Sequence, residues 1–326
     1  MRRLGIEAAK IAISAGLLWF AFTKIDTASA LVILRSIPAG AVLSAIAILT
    51  FQLFVAALRL HYLLKLVRTP IRFVSAVDAV FVGSFFNQTF LSFIGGDAMR
   101  VWRLVNFKVP IADAVKAVLF DRVTGFVGLF ALIVLGLPML FGIVNDPAMR
   151  ASVLAAVSAG LLGTVVFLLM NRMPDRFKRW RVLRIAADIS RLAVSIFARP
   201  ANVSCLLGLS IIIQATNAIA IFAIAVGLGV DAQLPDLLVL IPPVMLLAIL
   251  PISFAGWGIR EGAMAVALGL VGISAEQSVA MSICFGLSLI VVALPGGLVW
   301  LIAGSKGSRH KAGRSGVAEI GSPFER

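Results

Sequence analysis

Apolar runs of about 20 residues recur along the whole chain, and they limit most strongly what it can fold into. As an α-helix rising about 1.5 Å per residue, such a run is long enough to cross a hydrocarbon core of roughly 30 Å. Of the 326 residues, 61% are hydrophobic and 13% are charged, and the mean hydropathy is +1.06. Because a soluble fold cannot hide that much apolar surface, the sequence predicts an all-α polytopic membrane protein.

The apolar segments and the basic loops between them predict the topology. The segments lie at residues 8–23, 39–64, 73–93, 111–143, 151–170, 202–229, 236–252, 258–272 and 277–303. Short basic loops mark the cytoplasmic side of a membrane, and the third segment has basic residues both before and after it. We therefore expect residues 73–108 to form a re-entrant hairpin. With it the sequence predicts about eight transmembrane helices and two cytoplasmic termini in a multi-pass protein of the cell membrane.

Charge distribution divides the chain into a membrane domain at residues 1–303 and a polar, disordered cytoplasmic tail at 304–326. Within the domain, residues 171–200 alternate arginines with apolar residues, which is typical of a helix lying on an anionic membrane surface, and equally of a connector between two halves. The basic residues that give the net charge of +14 flank hydrophobic segments, which favours lipid headgroups over nucleic acid as the binding partner. Cys205 and Cys284 lack metal-binding spacing, so no metal or cofactor is predicted.

Ionisable residues within apolar segments are costly, and their positions therefore indicate function. In the first cluster a polar run containing Asn87 leads to a helix break at Gly95 and Gly96. A new helix is expected to follow, with Asp97 as its N-cap and Arg100 on the same face.

Two further clusters of charge follow along the chain. Asp121 and Arg122 lie about ten residues into the fourth segment, where each needs a partner. The third cluster repeats the order of the first. A glycine break at Gly256 and Gly258 is followed by the charged residues Arg260 and Glu261.

The first and third clusters share a short sequence pattern. Ser-Phe-Ile-Gly at residues 92–95 matches Ser-Phe-Ala-Gly at 253–256, which predicts a pseudo-repeat of two halves. Paired broken helices in two halves are a pointer to transport sites, where freed N–H groups face an anion. Arg100 and Arg260 would then bind a phosphate in one shared cavity, while Asp97, Asp121 or Glu261 balance charge or receive an amine.

A purely structural alternative is that these residues form salt bridges that lock helices together, with the glycines allowing close packing. Arg59 is expected to extend its side chain to the cytoplasmic interface.

The same residues carry a resemblance to a known family. Phe-Ile-Gly-Gly-Asp-Ala-x-Arg at residues 93–100, Asp-Arg-x-x-Gly at 121–125 and Gly-Trp-Gly-Ile-Arg-Glu at 256–261 resemble the transmembrane region of lysylphosphatidylglycerol synthases. That region also occurs alone, as the flippase-like-domain family, and the resemblance covers roughly residues 5–305. It implies a bacterial or archaeal membrane protein that flips or handles phospholipids, in the synthases the aminoacylated lipid. The synthases' soluble aminoacyltransferase domain is not expected here, so the substrate is not implied.

The leading hypothesis is a lipid flippase, not an enzyme, whose partner is a membrane phospholipid. Without a Gly-x-x-x-x-Gly-Lys-Ser/Thr motif, an ion or lipid gradient would supply the energy. One alternative is a non-transporting partner of a separate lipid synthase, and another is a membrane-embedded lipid-modifying enzyme with Asp97 or Asp121 as base, which no nucleophile–histidine pattern supports. The expected headgroup-binding residues are Asn87, Asp97, Arg100, Asp121, Arg122, Arg260 and Glu261.

Overall fold

The computed structural model describes residues 27–89, 93–172, 181–249 and 256–315, and within these ranges the protein contains eleven α-helices, one short 3₁₀-helix and no strand. The first predicted membrane segment, at 8–23, lies outside the described residues. The helices are α1 (Thr27–Ser36), α2 (Ala39–Leu66), α3 (Phe73–Thr89), α4 (Phe93–Asn106), α5 (Ile111–Ile143), α6 (Pro147–Leu169), α7 (Arg181–Phe197), α8 (Pro200–Gly227), α9 (Leu234–Ile249), α10 (Ile259–Gly269) and α11 (Ala275–Ser315).

Five of these helices are long and apolar enough to cross a membrane. They are Ala39–Leu66, Ile111–Ile143, Pro147–Arg172, Pro200–Gly227 and Ala275–Ile302, with mean hydropathies between 2.1 and 2.5. Large apolar side chains such as Leu135 and Leu298 are exposed on their outer faces, where lipid is the natural solvent. The prediction of an all-helical multi-pass membrane protein is therefore confirmed.

Helices α3 and α4 lie antiparallel as a short hairpin. Arg103 on α4 forms a salt bridge of 2.5 Å with Asp78 near the start of α3, while Gly96 at the start of α4 packs against Asn87 near the end of α3. A β-carbon on Gly96 would lie 2.4 Å from the carbonyl oxygen of Gly83, so only glycine allows this approach.

The double glycine does not break the helix, in contrast to the sequence prediction. Gly95 and Gly96 lie in the first turn of α4, which begins at Phe93, so Asp97 is not its N-cap. The physical reason is that these glycines serve the close contact with α3, and a helix tolerates them where that contact compensates for their low propensity.

Helices α9 and α10 form a second short pair, where two full spans at 236–252 and 258–272 were predicted. Their lengths are 16 and 11 residues, and the shorter one rises only about 16 Å, too little to cross a membrane alone. Gly256 and Gly258 between them have φ of +81° and +86°, a backbone conformation that favours glycine. Gly256 contacts Ala248 near the end of α9, so the chain turns back on itself.

The order of helices repeats along the chain with a constant spacing. Adding 161 to the bounds of α2 gives 200–227, the bounds of α8, and the same shift carries α3 to 234–250, against Leu234–Ile249 for α9. The shift also aligns α4 with α10 to within five residues and α5 with the start of α11 to within three. Helices α2 and α8 pack antiparallel along their lengths, since Tyr62 bonds Asn202 while Ala41 contacts Gly227.

The predicted connector and tail are both helical where they are described. Within residues 171–200, α7 buries Ile189, Ala193 and Ile196 against a cluster from α2, α5 and α8, while Arg191 stays exposed. Helix α11 continues to Ser315 and so extends into the predicted tail, and extending an existing helix needs no new nucleus. Residues 316–326 lie outside the described residues.

Gly296 on α11 packs directly against the backbone of α3. A β-carbon there would lie 2.0 Å from the carbonyl oxygen of Phe81, which is backbone and cannot swing away. We expect Gly296→Ala to lower the free energy of unfolding in detergent by about 1–3 kcal/mol through overpacking. Gly163→Ala is the matched control, because its β-carbon would meet nothing within 4 Å. Equal stability of the two variants would contradict this account of the α3–α11 contact.

Candidate functional site

Asp121 is the centre of a buried charge cluster. It lies on α5, is 2% exposed, and both of its carboxylate oxygens accept hydrogen bonds from arginines. Arg59 Nε on α2 donates to Oδ1 at 2.7 Å, and Arg100 Nη1 on α4 donates to Oδ2 at 3.3 Å. The sequence predicted that Asp121 has a partner, and the structure gives it two, as expected for a charge removed from water.

The next residue, Arg122, forms a separate bidentate pair with Asp97 on α4. Its Nε and Nη2 donate to the two carboxylate oxygens at 2.7 and 2.9 Å. Successive residues on a helix point about 100° apart, which lets Asp121 reach α2 while Arg122 pairs with Asp97 on α4. Two ion pairs therefore join α4 to α5, and Arg59 Nη1 extends the network to Ser210 on α8 at 2.9 Å.

The three arginines and Asp121 line one cavity of about 310 Å³ between the helices. Amide side chains form a second wall of the lining, in which Gln52 Nε2 donates to Asn217 Oδ1 at 2.8 Å and Asn217 Nδ2 donates to Gln214 Oε1 at 3.3 Å. The complete lining is Gln52, Leu53, Ala56, Arg59, Arg100, Asp121, Arg122, Gly125, Phe126, Ile213, Gln214, Asn217 and Ile249.

The charge of this site is positive. Among the residues that the structure describes, three arginines face two carboxylates, Asp121 in the lining and Asp97 behind Arg122, which leaves one excess positive charge. Arg100 is 8% exposed, and its Nε has no hydrogen-bond partner within the described ranges. A cavity of this kind, inside a membrane domain, is suited to bind one anionic group by charge-assisted hydrogen bonds.

Arg260 and Glu261 form a second buried cluster that is closed. Arg260 Nη2 donates to Glu261 Oε1 at 2.9 Å and its Nε donates to Ser282 at 3.0 Å. The guanidinium carbon lies 5.0 Å from the centre of the Trp257 ring and 5.6 Å from that of Phe285. Glu261 also accepts from the backbone N–H of Gly258, which caps the start of α10.

The expected convergence of Arg100 and Arg260 on one cavity is not observed. Arg260 is 4% exposed, its donors are directed at Glu261 and Ser282, and it does not line the cavity that contains Arg100. Its geometry matches the alternative role, a salt bridge that locks α10 to α11. Asn87 is also absent from the lining, because its side chain packs against Gly96 at the α3–α4 contact.

Sequence reasoning missed four polar side chains of the cavity: Gln52, Arg59, Gln214 and Asn217. Arg59 was expected to reach the cytoplasmic interface, but it is 6% exposed and held by Asp121, since α2 continues for two further turns beyond it. A signal for the amides was present in the sequence. Gln214 and Asn217 are three residues apart in a largely apolar helix, and that spacing places them on one face.

Comparison with known families agrees with the resemblance in the sequence. The family model described as the lysylphosphatidylglycerol synthase TM region matches residues 8–297, which include the cavity and the Arg260 cluster. No curated protein matches the chain.

Proposed function

The chain belongs to the family of lysylphosphatidylglycerol synthase transmembrane regions, and on that premise we propose that it moves a phospholipid between the two leaflets of a membrane. The headgroup enters the cavity between α2, α4, α5 and α8 while the acyl chains remain in lipid. The observation that carries this proposal is the buried, positively charged cavity around Arg59, Arg100 and Arg122 in a membrane domain. Structural salt bridges need no such space, whereas a bound headgroup does.

The repeated helix order supports a mechanism of alternating access. We propose that α3–α4 and α9–α10 are re-entrant hairpins that enter from opposite sides, because the helices before them, α2 and α8, are antiparallel. With the predicted segment at 8–23, this gives six spans and two hairpins, and it keeps both termini cytoplasmic. Rocking of one half against the other would then expose the cavity to each side in turn.

Binding and movement are favoured over catalysis at this site. Asp121 and Asp97 were the candidate bases, and each is held on both carboxylate oxygens by arginine. Because both oxygens of each carboxylate already accept hydrogen bonds from arginine, neither is positioned to take a proton from a substrate. Docking to a separate lipid synthase remains the alternative, and it predicts no effect of the cavity residues on lipid movement.

Arg100→Gln is expected to slow lipid movement at least about tenfold, because a charge-assisted hydrogen bond to the headgroup contributes about 1.5–3 kcal/mol. The measurement is leaflet exchange of fluorescent anionic lipid in liposomes that contain the purified protein. Arg150→Gln is the matched control, since Arg150 bonds the carbonyl oxygens of Phe141 and Val144, away from the cavity. Exchange by wild-type protein no faster than in empty liposomes would refute the proposal, and equal rates for both variants would remove Arg100 from it.

A further inference from the structure

The cavity has a cationic wall and an amide wall, and each wall restricts the headgroup differently. From them we infer that the headgroup is a phosphate monoanion that carries hydroxyl groups and no ammonium group. This inference rests on the proposed function and deepens it, because it chooses among phospholipid classes. It also departs from the aminoacylated lipid that the family resemblance implies.

The cationic wall offers no carboxylate to an ammonium group. Asp121 is the one acid in the cavity lining that the structure describes, and Arg59 and Arg100 occupy its two oxygens. Asp97 behind the wall is occupied by Arg122 in the same way. An ammonium group would therefore enter a site with excess positive charge and no free anionic partner, which is unfavourable in a medium of low dielectric constant. A phosphate monoanion would instead neutralise the excess charge.

The amide wall suits hydroxyl groups. A carboxamide both donates and accepts hydrogen bonds, as a hydroxyl does, and it carries no net charge. Gln52 is fixed because its Nε2 donates both to Asn217 Oδ1 and to the Ile213 carbonyl oxygen. Gln214 is held more loosely, because its Nε2 reaches the Gly125 carbonyl oxygen only at 3.5 Å. Its amide is thus available to exchange that weak bond for one to a ligand hydroxyl.

The volume of the cavity points to the same class. Its 310 Å³ corresponds to about ten water molecules at roughly 30 Å³ each. A phosphate ester of glycerol has roughly ten non-hydrogen atoms and would displace this water, whereas an aminoacylated form has nearly twice as many atoms. The larger headgroup would exceed the volume of the cavity.

The inference is tested by measuring dissociation constants for the full-length protein in detergent. The ligands are short-chain phosphatidylglycerol, phosphatidic acid, phosphatidylethanolamine and aminoacylated phosphatidylglycerol, together with free glycerol phosphate. Phosphatidylglycerol is expected to bind at least about tenfold more tightly than either lipid with an ammonium group. Gln214→Leu should reduce the preference for phosphatidylglycerol over phosphatidic acid roughly three- to tenfold. Gln214→Glu should reverse the order of phosphatidylglycerol and phosphatidylethanolamine, and Gln233→Glu, an equal charge change at an exposed position, should not.

Several outcomes would overturn the inference. Equal affinity for phosphatidylethanolamine or the aminoacylated lipid, or an unchanged order in Gln214→Glu, would show that the walls do not select the headgroup. Free glycerol phosphate binding as tightly as the lipid would assign the site to a soluble ester. Measurement of leaflet exchange separates the two proposals. If the protein moves all lipids at the same rate, only the headgroup selectivity is contradicted. If lipids bind in the expected order but are not moved between leaflets, only the transport is contradicted.

Discussion

Asp121→Ala is expected to lower the free energy of unfolding by about 3–5 kcal/mol, which would make it one of the most damaging single substitutions in the chain. The carboxylate is the shared partner of Arg59 and Arg100, and both guanidiniums are more than nine-tenths buried. Without it, Arg59 and Arg100 are two buried cations that face each other. Asp97, which pairs with Arg122, is then the one acid left for the three described arginines of the cluster. The loss exceeds the net contribution of the ion pairs, because uncompensated buried charge costs more than a pair stabilises.

The measurement is denaturant-induced unfolding in detergent, with Asp113→Ala as the matched control on the same helix. Asp113 pairs with Lys116 one turn away, and both side chains are more than a quarter exposed, so its loss is expected to cost less than about 1 kcal/mol. Adding Arg59→Met and Arg100→Met to Asp121→Ala should restore much of the stability, since apolar residues of similar size replace buried ion pairs at little cost. A change below about 1 kcal/mol in Asp121→Ala would show that water reaches the cluster.

The long helices could be predicted from sequence because their signal is local. The segment predicted at 111–143 has the bounds of α5, and that at 39–64 ends two residues before α2 does. Hydropathy failed at α9 and α10, since a half-length helix buried among others is as apolar as a full span. The turn at Gly256 and Gly258 sets the start of α10, and it does not contribute to hydropathy.

The site was predicted in part, for a related reason. Charge within apolar sequence predicted that Asp121 and Arg122 need partners, and each has an ion pair in the structure, because desolvation is costly wherever the partner lies. The sequence does not say which partner is chosen. Asp121 bonds Arg59, 62 positions away, and Asp97 bonds Arg122 instead of Arg100 one turn along its own helix. These choices follow from how α2, α4 and α5 pack, which composition and spacing do not determine.

The two halves use buried charge in different ways at equivalent places. The shift of 161 residues that relates the halves carries Asp121 to Ser282 and Gly125 to Gly286. At the first location the acid lies on α5 and the arginines border a cavity, whereas at the second the acid is Glu261 on α10 and Trp257 and Phe285 enclose Arg260. This asymmetry supports one ligand site and one structural lock within a repeated framework.

Glu261→Ala separates these two roles, because it should greatly reduce stability and leave lipid movement by the folded protein unchanged. Glu261 is 1% exposed and accepts from Gly258, Arg260 and Ser282, so its loss removes the cap of α10 and leaves Arg260 without a counter-charge. We expect a loss of about 3–5 kcal/mol in the free energy of unfolding.

The same liposome assay, with rates normalised to folded protein, distinguishes the lock from a ligand site. Combining Arg260→Leu with Glu261→Ala should restore part of the free energy of unfolding, because Arg260 is then no longer a buried charge without a partner. The rest is not restored, because α10 still lacks its cap. If Arg260 instead contacts lipid, the double variant would regain stability and still lose transport at least about tenfold, as expected for Arg100→Gln. That result would return Arg260 to the binding site, and it would require a conformation in which the Trp257 and Phe285 rings release the guanidinium.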